Sequence, residues 1–355
     1  MVIIAKPNWF TAFAGALALV LMGLGAGPAA ADKIVISNWD AYMPDDLLEN
    51  FSKETGIEAE HALHSTNEEI MGKVTVSGGK GFDIIFVTSP FVEALAKLGL
   101  AAKLDHSKLP NLANFYPQAM ELAYDPGLQY SVPYAWGTTG LCYRPDLVAG
   151  EPTSWFDLLR PDPALRGKIT MLSTDRWLMA AGLKALGYSV NSTDPGEIKE
   201  VRDLLIEAKK NLLAYDDTTF YSKLVSGEAA LVHAWDGWCN YAIAENPDIK
   251  FVVPKEGSDL WVDTMVIMEA SENKDAAHKF INYVLGPEVG TWVVTNILYK
   301  VPNAKAMEGI DPALYEQFPN LAMKPADLLK LEAVRDLGEG QKVFTRAVTE
   351  ITAAQ

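Results

Sequence analysis

The chain has 355 residues, 49% of them hydrophobic, enough for two domains with buried cores. Its formal net charge is −16. That acidity argues against nucleic acid or an anionic membrane surface as partner and agrees with a cationic ligand.

The first residues read as a targeting segment. Met1 to Asn8 carries one charged side chain, Lys6, and residues 9–27 are apolar and rich in Ala and Gly. Ala29-Ala30-Ala31 then supplies small residues for cleavage before Asp32. A membrane anchor is the rival reading, because the apolar run is nearly long enough to span a bilayer. The small-residue site directly after it favours a cleavable export signal over residues 1–31. No Cys lies near that site, so a lipid anchor on a mature N-terminal Cys is excluded. The chain's two cysteines are Cys142 and Cys239. Export permits a bond between them, and the sequence leaves their pairing open.

Beyond the leader, strand and helix patterns alternate. Residues 33–37 predict a strand, 45–55 an amphipathic helix stopped at Gly56, 57–61 a second strand and 67–76 a second helix. Asp83-Ile84-Ile85-Phe86-Val87 is a nearly continuous apolar run, as in a strand buried on both faces, and 91–98 follows as a helix. Residues 101–135 have little periodicity, apart from an extended stretch at 130–134. A second α/β pattern then begins, with strands at 168–172, 229–235 and 250–253. Helices are expected at 176–186, 237–245, 274–285, 287–296 and 338–351. One more, reaching about Lys210, opens on the N-cap Asp194 followed by Pro195 and Glu197. The alternation predicts an α/β fold, whose ligands sit at loops beyond the carboxyl ends of strands. Residues 39–42, 88–90 and 261–263 are the candidate loops. Trp261 and Asp263, two apart in extended chain, would face one side together, an aromatic face beside a carboxylate. That pair suits an organic cation. A core Trp beside a hydrogen-bonded Asp is the bland alternative.

Motifs for other chemistry are missing. The sequence contains no G-x-S-x-G, H-E-x-x-H or G-x-x-x-x-G-K-[ST]. Gly78-Gly79-Lys80-Gly81 has the composition of a phosphate loop without its spacing. His61 and His64 lack companions in metal-ligand spacing, so no metal or cofactor is expected.

Several short motifs occur in a fixed order: Asn38-Trp39-x-x-Tyr42, Thr55-Gly56-Ile57, Phe82-Asp83-Ile84, Ser131-Val132-Pro133-Tyr134-x-Trp136, Thr153-Ser154-Trp155, Leu186-Gly187-Tyr188-Ser189, Pro254-Lys255-Glu256-Gly257 and Trp261-x-Asp263. Together they resemble the periplasmic spermidine/putrescine-binding proteins of ABC transporters, over nearly all of the mature chain. The resemblance implies a type II periplasmic-binding-protein fold. Each of its two lobes is a mixed, mostly parallel sheet flanked by helices, and crossing strands form the hinge. Residues 32–136 with 262–303 form lobe one, residues 137–261 with 304–355 lobe two, and crossings fall near 135–139, 258–262 and 300–305. It further implies a periplasmic monomer without catalytic activity, which captures a small cationic amine by hinge closure and passes it to a membrane permease.

Carried over by position, Trp39 and Tyr42 match the aromatic pair of the first loop, Trp235 the Trp ending a second-lobe strand, Trp261 and Asp263 the amine-receiving pair, and Tyr299 the last aromatic. Thr88 stands where the family has Ser. Other positions depart. Pro90 replaces a Tyr of the spermidine binders, and Trp238 replaces an Asp of the putrescine binders. The acid expected close to Trp177 is met only by Asp175, one position displaced. Asp40, Asp175 and Asp236 are therefore candidates for a second acid. Trp177 and Trp238 serve either as extra cage walls or as second-lobe core. A quaternary amine, a monoamine or another solute is the alternative ligand, and an exported hydrolase of an amine conjugate a more distant one.

Overall fold

The computed structural model describes residues 33–354; the expected leader, residues 1–31, lies outside them. Eleven strands run in chain order: β1 Lys33–Asn38, β2 Glu58–Leu63, β3 Ile84–Thr88, β4 Ser131–Gly137, β5 Thr139–Tyr143, β6 Ile169–Met171, β7 Ala214–Tyr215, β8 Leu231–Trp235, β9 Lys250–Val252, β10 Asp259–Ile267 and β11 Glu332–Ala333. They form two sheets. The first has the order β11-β10-β3-β1-β2 with β4 also on β10, and the second β7-β6-β8-β5-β9. In each sheet a central strand runs antiparallel to its neighbour from the parallel set, β10 against β3 and β5 against β8. This is the two-lobed fold with a mixed sheet in each lobe.

Local chemistry explains the elements. Helix Leu47–Thr55 ends because Gly56 takes the left-handed conformation at φ 73°, which glycine adopts without a Cβ clash. Asp194 accepts from the backbone N–H groups of Gly196 and Glu197 and opens helix Pro195–Lys209. All five residues of β3 are buried, as its unbroken apolar run predicts. Residues 101–135 are held by short 3₁₀ turns, His106–Lys108, Pro110–Asn114 and Pro117–Met120, which explains their missing periodicity.

The chain passes between the sheets at Thr138, linking β4 to β5, and again between β9 and β10. The third passage is a correction. The sequence reading placed it at 300–305 and assigned 304–355 to lobe two. Instead, Ala304–Glu308 packs on Pro287–Trp292 beside the first sheet, and the Asn303 amide donates to the Leu285 carbonyl at 2.9 Å. The chain leaves the first lobe at 332–337, where β11 pairs with β10 and the Arg335 guanidinium grips Glu93. Helix Gln341–Ala353 then docks on Pro195–Lys209, burying Phe344, Ala347, Val348 and Ile351. Those positions recur three and four apart, one helical face. The 300–305 region was misread for a physical reason: it touches both lobes without crossing. Trp136 N–H donates to the Lys300 carbonyl at 3.1 Å, and the Lys300 ammonium pairs with Asp236 at the start of helix Asp236–Glu245.

Cys142 in β5 and Cys239 in helix Asp236–Glu245 form a disulfide that closes 97 residues of the second lobe. Among the described residues, no helix is long and apolar enough to cross a membrane.

Candidate functional site

The site begins at the middle of β10. Trp261 and Asp263 sit two apart on that strand, so both turn to one side, and both line a cavity of about 430 Å³. The expectation that 261–263 forms a loop is corrected: these residues are inside β10. Asp263 pairs in register with Thr88 at the carboxyl end of β3, so an antiparallel strand delivers it to the place where loops normally gather ligands.

Asp263 is held by neutral donors. Tyr42 Oη donates to Oδ2 at 2.7 Å and Thr88 Oγ1 to Oδ1 at 2.8 Å. Behind them, Asn67 fixes Thr88 twice, accepting its backbone N–H at 2.9 Å and donating to its hydroxyl at 3.0 Å. The Tyr134 hydroxyl donates to the Tyr42 carbonyl at 2.7 Å. Burial pushes the Asp263 carboxyl up to about 6, opposed by its bonds from Tyr42 and Thr88. Burial, then the Asp263 charge, holds the Tyr42 hydroxyl well above its ordinary range, so it stays a donor.

Two backbone devices aim the aromatic rings. Ala41 adopts φ 52°, a left-handed conformation unusual for a residue with a Cβ, in the turn carrying Trp39 and Tyr42. A π-helical turn, Val293–Ile297, ends at Leu298 with φ 59° and presents Tyr299. Such turns gather at functional sites. Trp261 and Tyr299 meet edge to face at 4.9 Å, Trp39 and Tyr42 at 5.4 Å. Glycine makes room for these rings: a Cβ at Gly137 would strike Trp261 and Asp236, and one at Gly237 the ring of Tyr299.

The opposite wall comes from the second lobe. Trp177, Trp235 and Trp238 line it with Thr174, Asp217 and Thr218. Trp177 packs edge to face on Trp235 at 5.7 Å and is only 7% exposed. Trp238 rests on Phe220 and Tyr221. Both tryptophans thus pack in the lobe and show the cavity one side, so neither alternative stands alone.

The cavity thus lies between two α/β lobes and is walled by aromatic rings. The model for the bacterial extracellular solute-binding protein family matches residues 46–319. The chain belongs to this family. This solute-binding protein is 32% identical over 339 residues to the spermidine/putrescine-binding periplasmic protein 1 of Haemophilus influenzae, covering 93% of this chain and 91% of that one. It is 31% identical over 352 residues to a putrescine/cadaverine-binding protein of Pseudomonas aeruginosa, covering 94% and 98%. Among solved structures it superposes on the spermidine/putrescine ABC transporter substrate-binding protein of Streptococcus pneumoniae with a TM-score of 0.77 at 28% identity, covering 90% of this chain and all of that one.

Of the residues read from the sequence of this solute-binding protein, Trp39, Asp40, Tyr42, Thr88, Trp177, Trp235, Trp238, Trp261, Asp263 and Tyr299 come together around the cavity. Asp175 does not. It accepts from Thr345 Oγ1 at 2.7 Å on the C-terminal helix. The reason is rotation: residues two apart on a helix point about 200° away from each other, so Trp177 facing the cavity turns Asp175 outward. Asp236, the other candidate acid, is buried in an ion pair with Lys300 away from the cavity wall. Sequence reading missed Asn67, Glu68, Thr174 and Asp217. Asn67 stands at the first position of a helix capped by Thr66, a place where ligand loops gather, and that was its available signal. Asp217 follows β7, two residues long and too short to leave a pattern. Among the described residues, no cluster of three or more His, Cys, Asp or Glu could hold a metal ion.

Proposed function

We propose that this solute-binding protein is the periplasmic receptor of an ABC importer for a polyamine of the putrescine/spermidine class or a related organic amine. One observation carries the reading. Among the described residues, the cavity is lined by four carboxylates (Asp40, Glu68, Asp217 and Asp263), five tryptophans and two tyrosines, with no Lys, Arg or His. Such a lining repels anions and zwitterions presenting a carboxylate. It attracts organic cations through ring quadrupoles and charge-assisted hydrogen bonds. The relatives named for binding spermidine, putrescine or cadaverine support the same class.

The protein captures its ligand and does no chemistry on it. Tyr42 and Thr88 hold Asp263 as an acceptor for one ammonium. The rings enclose the methylene chain, and the lobes close by bending at the passages between the sheets. A monomer exported by its N-terminal leader then delivers the amine to a membrane permease. The test is thermal melting of the purified protein with putrescine, spermidine, choline, glycine betaine, γ-aminobutyrate and butylamine. A ligand at about a hundred times its Kd adds roughly 2.7 kcal/mol of stability. Stabilisation by putrescine or spermidine and none by γ-aminobutyrate is the expected result. No shift with any amine sinks the proposal.

A further inference from the structure

Asp263 answers one end of a ligand, and the second end is the open question, because Asp175 is turned to the C-terminal helix and Asp236 is taken by Lys300. The structure assigns that role to Asp217: we infer that its carboxylate binds the distal ammonium, and that the ligand is therefore a linear di- or polyamine. This deepens the proposed function and rests on it.

The adjacent acids Asp216 and Asp217 are used in opposite ways. Asp216 is consumed by the fold. It accepts from the backbone N–H groups of Thr218 and Thr219 at 3.0 and 2.7 Å and forms an ion pair with Lys223. Asp217 lines the cavity and pairs with no Lys or Arg among the described residues. It is nevertheless held in place. Its Oδ1 accepts the Ser173 backbone N–H at 2.9 Å, and its Oδ2 accepts the Ser173 hydroxyl. A carboxylate oxygen accepts more than one hydrogen bond, so both oxygens keep capacity for an ammonium. Ser173 precedes Thr174, itself a cavity residue, so the clamp and the wall are one loop.

Asp40 and Glu68 are weaker candidates for this role. Both are exposed, and both lie on first-lobe segments, as Asp263 does. Asp217 belongs to the other lobe. A ligand bridging Asp263 and Asp217 holds the two lobes together, whereas a monoamine satisfying Asp263 alone does not. The second charge therefore both selects the ligand and stabilises the shut state.

Calorimetric titration of the wild-type protein, Asp217→Asn and Asp263→Asn with 1,4-diaminobutane and with butylamine tests this. Wild type should prefer the diamine by about thirtyfold or more, the ratio equivalent to roughly 2 kcal/mol for one buried charge pair. Asp217→Asn should collapse the preference to a few-fold, with the diamine losing far more than butylamine. Asp217→Glu should restore part of it, which a merely structural role for Ser173–Asp217 would not do. A preserved preference in a folded Asp217→Asn, with binding of both amines abolished in Asp263→Asn, overturns the Asp217 assignment and leaves the amine-receptor reading intact. A wild type that binds neither amine overturns the receptor reading and this assignment with it.

Discussion

Asp236 at the hinge and Asp263 in the cavity are two carboxylates compensated in opposite ways. Asp236 is 1% exposed, carries its own cation in Lys300, itself buried, and accepts the Gly237 backbone N–H at 3.0 Å. It is a finished ion pair. Asp263 faces a cavity and receives two hydroxyls and no resident cation. Other acids without a cation are finished differently. Asp125, for example, is wrapped by three backbone N–H groups of residues 129–131 and by the Ser131 hydroxyl. Asp263 has neither a lysine nor such a nest. A half-buried negative charge left in that state carries a desolvation cost, which the proposed ammonium ligand would remove. The difference marks Asp236 as scaffold and supports the proposed role of Asp263 as receptor.

The largest expected effect is at the hinge. Lys300→Met strands Asp236 and should lower unfolding free energy by about 3–5 kcal/mol, the usual result of halving a buried pair. Adding Asp236→Asn, which keeps an acceptor for Gly237, should recover a large part of that loss. Chemical denaturation of the ligand-free proteins checks both. If Lys300→Met leaves stability untouched, the hinge pair is not scaffold. In the cavity the effect should fall on affinity. Asp263→Asn should cost about 2–5 kcal/mol of amine binding while the fold survives. Unchanged amine affinity would remove Asp263 from the site.

The smallest effect is the pH dependence. Burial lifts the Asp263 carboxyl to about 6. In the proposed site its charged form receives the ammonium, so affinity should be flat above pH 7 and weaken as pH falls through 6, approaching tenfold per unit, or about 1.4 kcal/mol. The ligand-free fold moves the other way. With the folded value above an unfolded value of about 3.9, this group's stabilising contribution is complete below that lower value and is lost as pH rises through 6. Titrations at pH 5, 6, 7 and 8 on wild type and Asp263→Asn should show the slope only in wild type.

Much of the scaffold was legible because it is written in period and punctuation. The apolar run of β3, the cap at Asp194 and the stop at Gly56 each depend on neighbours in sequence. So did the Trp261–Asp263 pair, since alternation along one strand puts both on one face. What was illegible depends on partners far away in the chain. Nothing near Asp236 announces Lys300, 64 residues on. Nothing near Asp175 shows that helix Gln341–Ala353 will cover it. Asp217 hides because β7 is two residues long and the adjacent Asp216 looks the same until Lys223 claims one of them. The third passage between lobes was misplaced for a similar reason: the run around Lys300 reaches both lobes through hydrogen bonds, while the chain itself crosses later.

Five of the nine tryptophans, Trp39, Trp177, Trp235, Trp238 and Trp261, stand around one cavity. Indole emission follows the polarity and quenching groups of its surroundings. On the proposed closure around a polyamine, those five rings would exchange water for a methylene chain and its ammonium charges together. The protein would thus be its own optical reporter: a change in intrinsic fluorescence on adding a solute should read occupancy, with no dye attached and no residue altered.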